Sequence, residues 1–267
     1  ESITAFLEEN HISLADIDLF VSRGGAPGRV EYGAYEIDKT VVQLLCFSDA
    51  PTYHASNLAP ILAYSLAQRA GGKPAIFYDA VSADQASPLA HMSGIPGVAR
   101  RVGCHNLNTR MVGREAAAQL GKAYEESGLV IAHLGGGISV SAHNHGVIDD
   151  SVMCDEGPMG PQRAGRVSFL QMMQMCYVEK RTMQEMQRIT DAGGLLSYFH
   201  VDTMIALEEK IDAGDREAEF LYQAMAYQIC KAIGENFAVL GGEADAIILT
   251  GGIAYGKETV DAISEMV

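Results

Sequence analysis

The sequence lacks paired cysteines. Cys46, Cys104, Cys154, Cys176 and Cys230 lie far apart with no CxxC spacing. That argues against a zinc ribbon and a disulfide framework, and it leaves buried free thiols as the expectation. Positive charge is scarce: 19 Lys and Arg stand against 34 Asp and Glu, a net charge of −15. Such a surface repels nucleic acid and anionic lipid, so neither is expected as a partner. No uninterrupted apolar run of about 18 residues occurs, and no basic segment followed by an apolar stretch opens the chain, so neither a spanning helix nor a signal peptide is expected. A soluble, cytoplasmic protein is the reading that follows. Low-complexity tracts and helical repeats are also missing, as are GxxxxGK[ST], GxGxxG after a strand, GxSxG and HExxH, which removes several common catalytic signatures.

What is present is an ordinary globular composition, 48% hydrophobic and 20% charged over 267 residues. Short β-branched runs alternate with helical patterns, the sequence form of an α/β protein with parallel pairing. Strands are predicted at Ile17–Val21, Ala75–Val81, Leu129–Leu134, Ile138–His143 and Ala246–Leu249, and helices at Asn57–Arg69, Thr109–Glu125 and Glu217–Leu240. In the last of these, Leu221, Met225, Ile229, Ile233 and Phe237 recur every fourth residue, with Ala224 and Tyr227 widening a core-facing stripe. Ser141–Gly146 reads as a hairpin turn; its His143 and His145 lack the further spacing of a metal site. A charged helix end at Glu125 and Glu126 followed by Ser127-Gly128 places the domain division at 126/127, giving lobes 1–126 and 127–267.

Two glycine turns carry the chemistry. His133-Leu134-Gly135-Gly136-Gly137 follows an apolar strand, and without Cβ atoms successive N–H groups can surround one anion. Ile247-Ile248-Leu249 runs into Thr250-Gly251-Gly252-Ile253-Ala254, a second strand ending in glycine. Ligands of open α/β sheets sit beyond the carboxyl ends of strands, so these turns could hold opposite ends of a nucleotide, although tight turns also need Gly. In the first half, Arg23 can grip a carboxylate or phosphoryl group or be a surface residue at a strand end. Asp79 can accept a proton, orient Mg²⁺ or cap a turn. His105, beside Asn108, can stabilise transferring charge or be a satisfied core histidine. Together these are the group types that phosphoryl transfer requires.

The strings SRGG (22–25), GAYEI (33–37), HASNL (54–58), Asp79-Ala80-Val81, HNLN (105–108), AHLGGGISV (132–140), EGPMGPQRAG (156–165), AMAYQI (224–229) and LTGGIAY (249–255) occur in an order that resembles the butyrate kinases. These are relatives of acetate kinase within the sugar kinase, Hsp70 and actin superfamily. The resemblance implies a two-lobed, ribonuclease H-like α/β fold and Mg²⁺-dependent, reversible phosphoryl transfer between ATP and a short-chain carboxylate, giving acyl phosphate and ADP. It implies that the loop from His133 through Leu134, Gly135 and Gly136 to Gly137 holds nucleotide phosphates, and that Gly251, Gly252, Ile253 and Ala254 line the adenosine site. Arg23 would bind the carboxylate or acyl phosphate with help from His54 and Asn57. Asp79 would be the acid/base or metal-organising carboxylate, and His105 would donate to the transferring phosphoryl. A homodimer or higher homo-oligomer is implied as well.

Three departures from that pattern produce further expectations. The family's first phosphate loop and its acidic C-terminal segment have no counterpart here, and the first Met is Met92, so the N-terminal lobe is expected to be incomplete and the chain a part of a longer or processed protein. Where the resemblance implies Asp-Ala-Arg, the chain reads Asp202-Thr203-Met204. Met204 favours an alternative, a catalytically impaired nucleotide-binding relative with a regulatory or assembly role. Among enzymes, acetate or propionate kinase is the nearest other reading.

Overall fold

Successive side chains of a strand point to opposite faces, and along Ala75–Tyr78 burial alternates accordingly: Ala75 and Phe77 face a core while Ile76 and Tyr78 face outward. The computed structural model describes residues 2–47, 55–153, 155–201 and 203–267, and its contacts divide the chain between Gln85 and Ala86. In the first unit α1 (Ser2–Glu9) precedes β1 (Phe20–Arg23), β2 (Ala34–Glu36), α2 (Lys39–Phe47), α3 (Leu58–Arg69) and β3 (Ala75–Tyr78). The sheet order is β1-β3-β2, with β1 parallel and β2 antiparallel to β3. Helix α3 lays Ala63 and Ala67 against this sheet beside Phe20, Ile37 and Phe77. Small side chains there let the helix backbone approach closely. The helix ends where Gly71 and Gly72 adopt positive φ.

The second unit runs α4 (Asn106–Gln119), β4 (Gly128–Leu134), β5 (Ile138–Asn144), β6 (Val147–Met153), α5 (Phe169–Met173), α6 (Met183–Asp191), α7 (Leu195–Phe199), α8 (Met204–Asp212), α9 (Arg216–Val239), β7 (Ala246–Thr250) and α10 (Lys257–Ser264). Its sheet order is β6-β5-β4-β7. Strand β4 is apolar at nearly every position because both of its faces are covered. Leu129 and Ile131 pack with Ala117 of α4 and with Tyr124, whereas Val130, Ala132 and Leu134 pack with Met225, Ile229 and Ile233 of α9. Each of these large side chains contributes about 1.5–3 kcal/mol on burial.

Several expectations change. The sheets are mixed, because β4, β5 and β6 form an antiparallel meander and β2 is antiparallel to β3, while β1–β3 and β4–β7 are parallel. Helix α4 starts at Asn106 and stops at Gln119, with Gly121 in the left-handed region just beyond. Because α4 packs on β4 and beside Ala246 and Ile248 of β7, it groups with the second unit, whereas the sequence places the lobe division at 126/127. Residues 141–144 are strand; only His145 and Gly146, both at positive φ, make the hairpin turn. Helix α9 buries Met225, Ile229 and Ile233 as expected, but the stripe widens through Tyr222, Ala226 and Cys230, and Tyr227 is 58% exposed. Cys104 and Cys230 are buried as expected, but Cys46 and Cys176 are exposed, and Cys154 lies outside the described residues.

Candidate active site

Two glycine turns separated by more than a hundred residues are neighbours in the second unit. Strands β4 and β7 run parallel in register from Leu129↔Ala246 to His133↔Thr250, so Gly135–Gly137 and Gly251-Gly252 leave the sheet side by side at its carboxyl edge. Gly251 has φ +94°, and a Cβ there would lie 2.5 Å from the Leu134 carbonyl oxygen. Only glycine fits that approach. In the other turn Gly135 N donates to Gly137 O, Gln162 N donates to Gly136 O, and Gly136 N–H has no partner among the described residues. An unpaired amide on a loop without side chains is the donor set an anionic phosphate requires. Ile253 and Ala254 pack against the α9 core, which fixes the turn that carries them.

Two histidines stand beside this edge. The His105 and His133 rings stack with centroids 3.9 Å apart and planes 18° apart. His105 occupies the N-cap position of α4, and its Nδ1 lies 2.8 Å from Ser139 Oγ on β5. His133 Nδ1 lies 2.7 Å from Asn108 Oδ1. Burial lowers the His133 pKa and so favours its neutral form. Thus HNLN and HLGGGIS, distant in sequence, interlock through three hydrogen bonds and a ring stack.

His143 answers a different need. It is fully buried, its Nδ1 2.6 Å from Tyr124 Oη and its Nε2 2.9 Å from Ser141 Oγ, and burial pushes its pKa down to about 3. Both ring nitrogens are used within the core. No group of three His, Cys, Asp or Glu side chains among the described residues is arranged to hold a metal ion.

In the first unit Arg23 is the last residue of β1, with an exposed side chain, and Asp79 follows β3 at φ +42° with 4% exposure. Asp79 Oδ1 accepts from Gly33 N at 3.0 Å, and Asp79 N donates to Gly33 O at 3.0 Å. That two-way bond holds a strained backbone at the end of a strand. A Cβ on Gly24 would lie 2.3 Å from Ala80 Cα, so the residues after Arg23 and after Asp79 meet backbone to backbone. Asn57 is buried; its Oδ1 accepts from Ala26 N at 2.8 Å and its Nδ2 donates to Leu45 O at 3.2 Å. Its amide fastens the loop after Arg23. His54 lies outside the described residues.

Sequence reasoning did not single out Ser139, Gln162 or Arg163. Arg163 donates to the carbonyls of Gln162 and Asp191 and accepts from Gly160 N through its own carbonyl, within the loop that bonds Gly136. The strings AHLGGGISV and EGPMGPQRAG contain all three, but which of their side chains turn towards the glycine loop is a tertiary fact. Met204, the first residue of α8, packs against the α9 core.

A profile of the acetokinase family matches residues 89–266, more than half of the chain. The chain belongs to the acetokinase family. Family members are carboxylate kinases that use ATP and Mg²⁺. Solved structures agree with this chain on fold. Acetate kinase from Porphyromonas gingivalis superposes with a TM-score of 0.84 at 22% identity, over 98% of this chain and 69% of that one. A propionate kinase from Francisella tularensis subsp. tularensis gives 0.80 at 20%, over 99% and 71%, and acetate kinase from Entamoeba histolytica gives 0.76 at 20%, over 98% and 70%. The architecture, an α/β fold with two sheets, is shared with these solved structures. No helix among the described residues is long and apolar enough to cross a membrane.

Proposed function

We propose that this protein transfers a phosphoryl group between ATP and butyrate or a similar short-chain or branched fatty acid. The observation that carries the reading is the pairing of the Gly135–Gly137 and Gly251-Gly252 turns at the carboxyl ends of parallel β4 and β7. Gly136 N–H would donate to a phosphate oxygen, and Gly252, Ile253 and Ala254 would flank the adenosine. Mg²⁺ would supply charge neutralisation on the phosphates when bound. His105 would donate to the equatorial oxygens of the transferring phosphoryl. Arg23 would bind the carboxylate, Asp79 would serve as the acid/base or orienting carboxylate, and Asn57 would act by holding the loop after Arg23.

The spelling of HLGGGIS and HNLN supports the butyrate branch, while two of the solved relatives are named acetate kinases and one a propionate kinase. Met204 packs against the α9 core, so its apolar side chain has a packing role there. Hydroxylamine trapping of acyl phosphate with Mg-ATP and C2 to C5 carboxylates tests the assignment. Turnover with the highest kcat/KM at C4 or branched C4–C5 acids is expected. A peak at C2 or C3 would overturn the butyrate assignment, and no trapped product with any acid would overturn the kinase reading.

A further inference from the structure

We infer that Ser139 is a positioning residue that holds His105 in one tautomer, with the proton on Nε2, so that the imidazole donates without carrying a charge. The inference rests on the carboxylate kinase reading for its consequence, while its structural part stands on the hydrogen bonds alone. Ser139 is fully buried on β5. Its Oγ has two partners among the described residues, both on His105: the backbone N at 3.4 Å and ring Nδ1 at 2.8 Å. The backbone N–H can only donate, so it occupies the hydroxyl as an acceptor. The hydroxyl proton then needs an acceptor of its own, and Nδ1 is the one within reach. If Nδ1 carried the proton instead, the serine hydrogen would be buried without a partner, the costlier arrangement. A neutral His105 therefore keeps its proton on Nε2.

The neighbouring ring supports the same state. Asn108 Oδ1 accepts the Nδ1 proton of His133, and burial keeps His133 neutral. Stacked at 3.9 Å, a neutral His133 adds no like charge to His105. A neutral donor in a fixed tautomer strengthens its bond as charge builds on the phosphoryl oxygens and needs no reorganisation to do so.

Histidine-selective ¹⁵N labelling of the full-length protein reads the tautomer directly, with the His105 signals identified by their loss in His105→Gln. In the unsubstituted protein His105 Nδ1 should be unprotonated and Nε2 protonated; in Ser139→Ala the ring should populate both tautomers while the His133 signals persist. In the same variant kcat should fall about 10–100-fold, with KM for nucleotide changed less than about twofold, and Ser139→Thr should recover most of the loss. A His105 protonated on Nδ1 in the unsubstituted protein would overturn the inference. An unchanged tautomer and unchanged kcat in Ser139→Ala would do the same. Should the protein phosphorylate no carboxylate, the proposed function fails, while the ring spectra still decide what Ser139 does.

Discussion

Asp79 and Asn57 are both buried polar residues in the first unit, yet they bear on the chemistry differently. Asp79 holds Gly33 through one oxygen in a backbone conformation that few residues adopt, and strain of this kind concentrates at functional sites. Asp79→Asn keeps an acceptor for Gly33 N, so the variant should stay folded and lose kcat by about 10²-fold or more with nucleotide affinity unchanged. His105→Ala should behave alike. Equal loss of turnover and nucleotide affinity, by steady-state kinetics beside calorimetric titration, would remove both from the catalytic machinery. Asn57→Ala strands Ala26 N and Leu45 O together, and should lower unfolding free energy by about 2–4 kcal/mol in urea titration. At this scale the sequence was informative about which residues matter and less so about how. Asp79 and His105 stood out as chemical types in recognisable strings, whereas the amide bonds of Asn57, the Ser139 bond and the loop of Arg163 depend on chain segments that only the fold brings together.

Among the elements, the turn after β7 and the start of α8 are the most instructive. Gly251→Ala would force a Cβ against Leu134 O at positive φ and should cost at least about 1–3 kcal/mol, with nucleotide binding weakened on the proposed reading, because β4 and the glycine loop after it must shift to accept it. Thermal unfolding with and without Mg-ATP measures both. Met204→Arg should lower Tm without raising kcat, since the guanidinium would enter the seat Met204 occupies on the α9 core; a gain in turnover would show that position 204 faces the reaction after all. Element types were readable because apolar periodicity is set by burial. Strands β4, β5 and β7 and helices α3 and α9 appear close to their expected places. Pairing direction was not readable, since β4 and β5 are equally apolar whether their neighbours run parallel or antiparallel, and the meander follows from a two-residue turn at His145-Gly146.

Over the whole molecule, stability and catalysis can be separated by pH. The folded pKa of His143, about 3, lies below its ordinary 6.5 because burial disfavours the charged form. Between those values the unfolded chain binds the extra proton, so the contribution of His143 is complete above pH 6.5 and is lost as pH falls towards 3. Urea midpoints measured from pH 7 to 4.5 should fall more steeply for the unsubstituted protein than for His143→Gln, and parallel slopes would contradict the assignment. The acetokinase family and its two-sheet fold were legible as ordered strings along the chain, whereas the division after Gln85 was not, because α4 joins the second unit through a face that its own sequence does not distinguish. The most direct test of the central claim is ³¹P NMR of the protein with Mg-ATP and butyrate. The account predicts that the ATP γ signal declines as an acyl phosphate resonance and ADP grow together. Release of inorganic phosphate with no acyl phosphate, or no change in ATP, would contradict it.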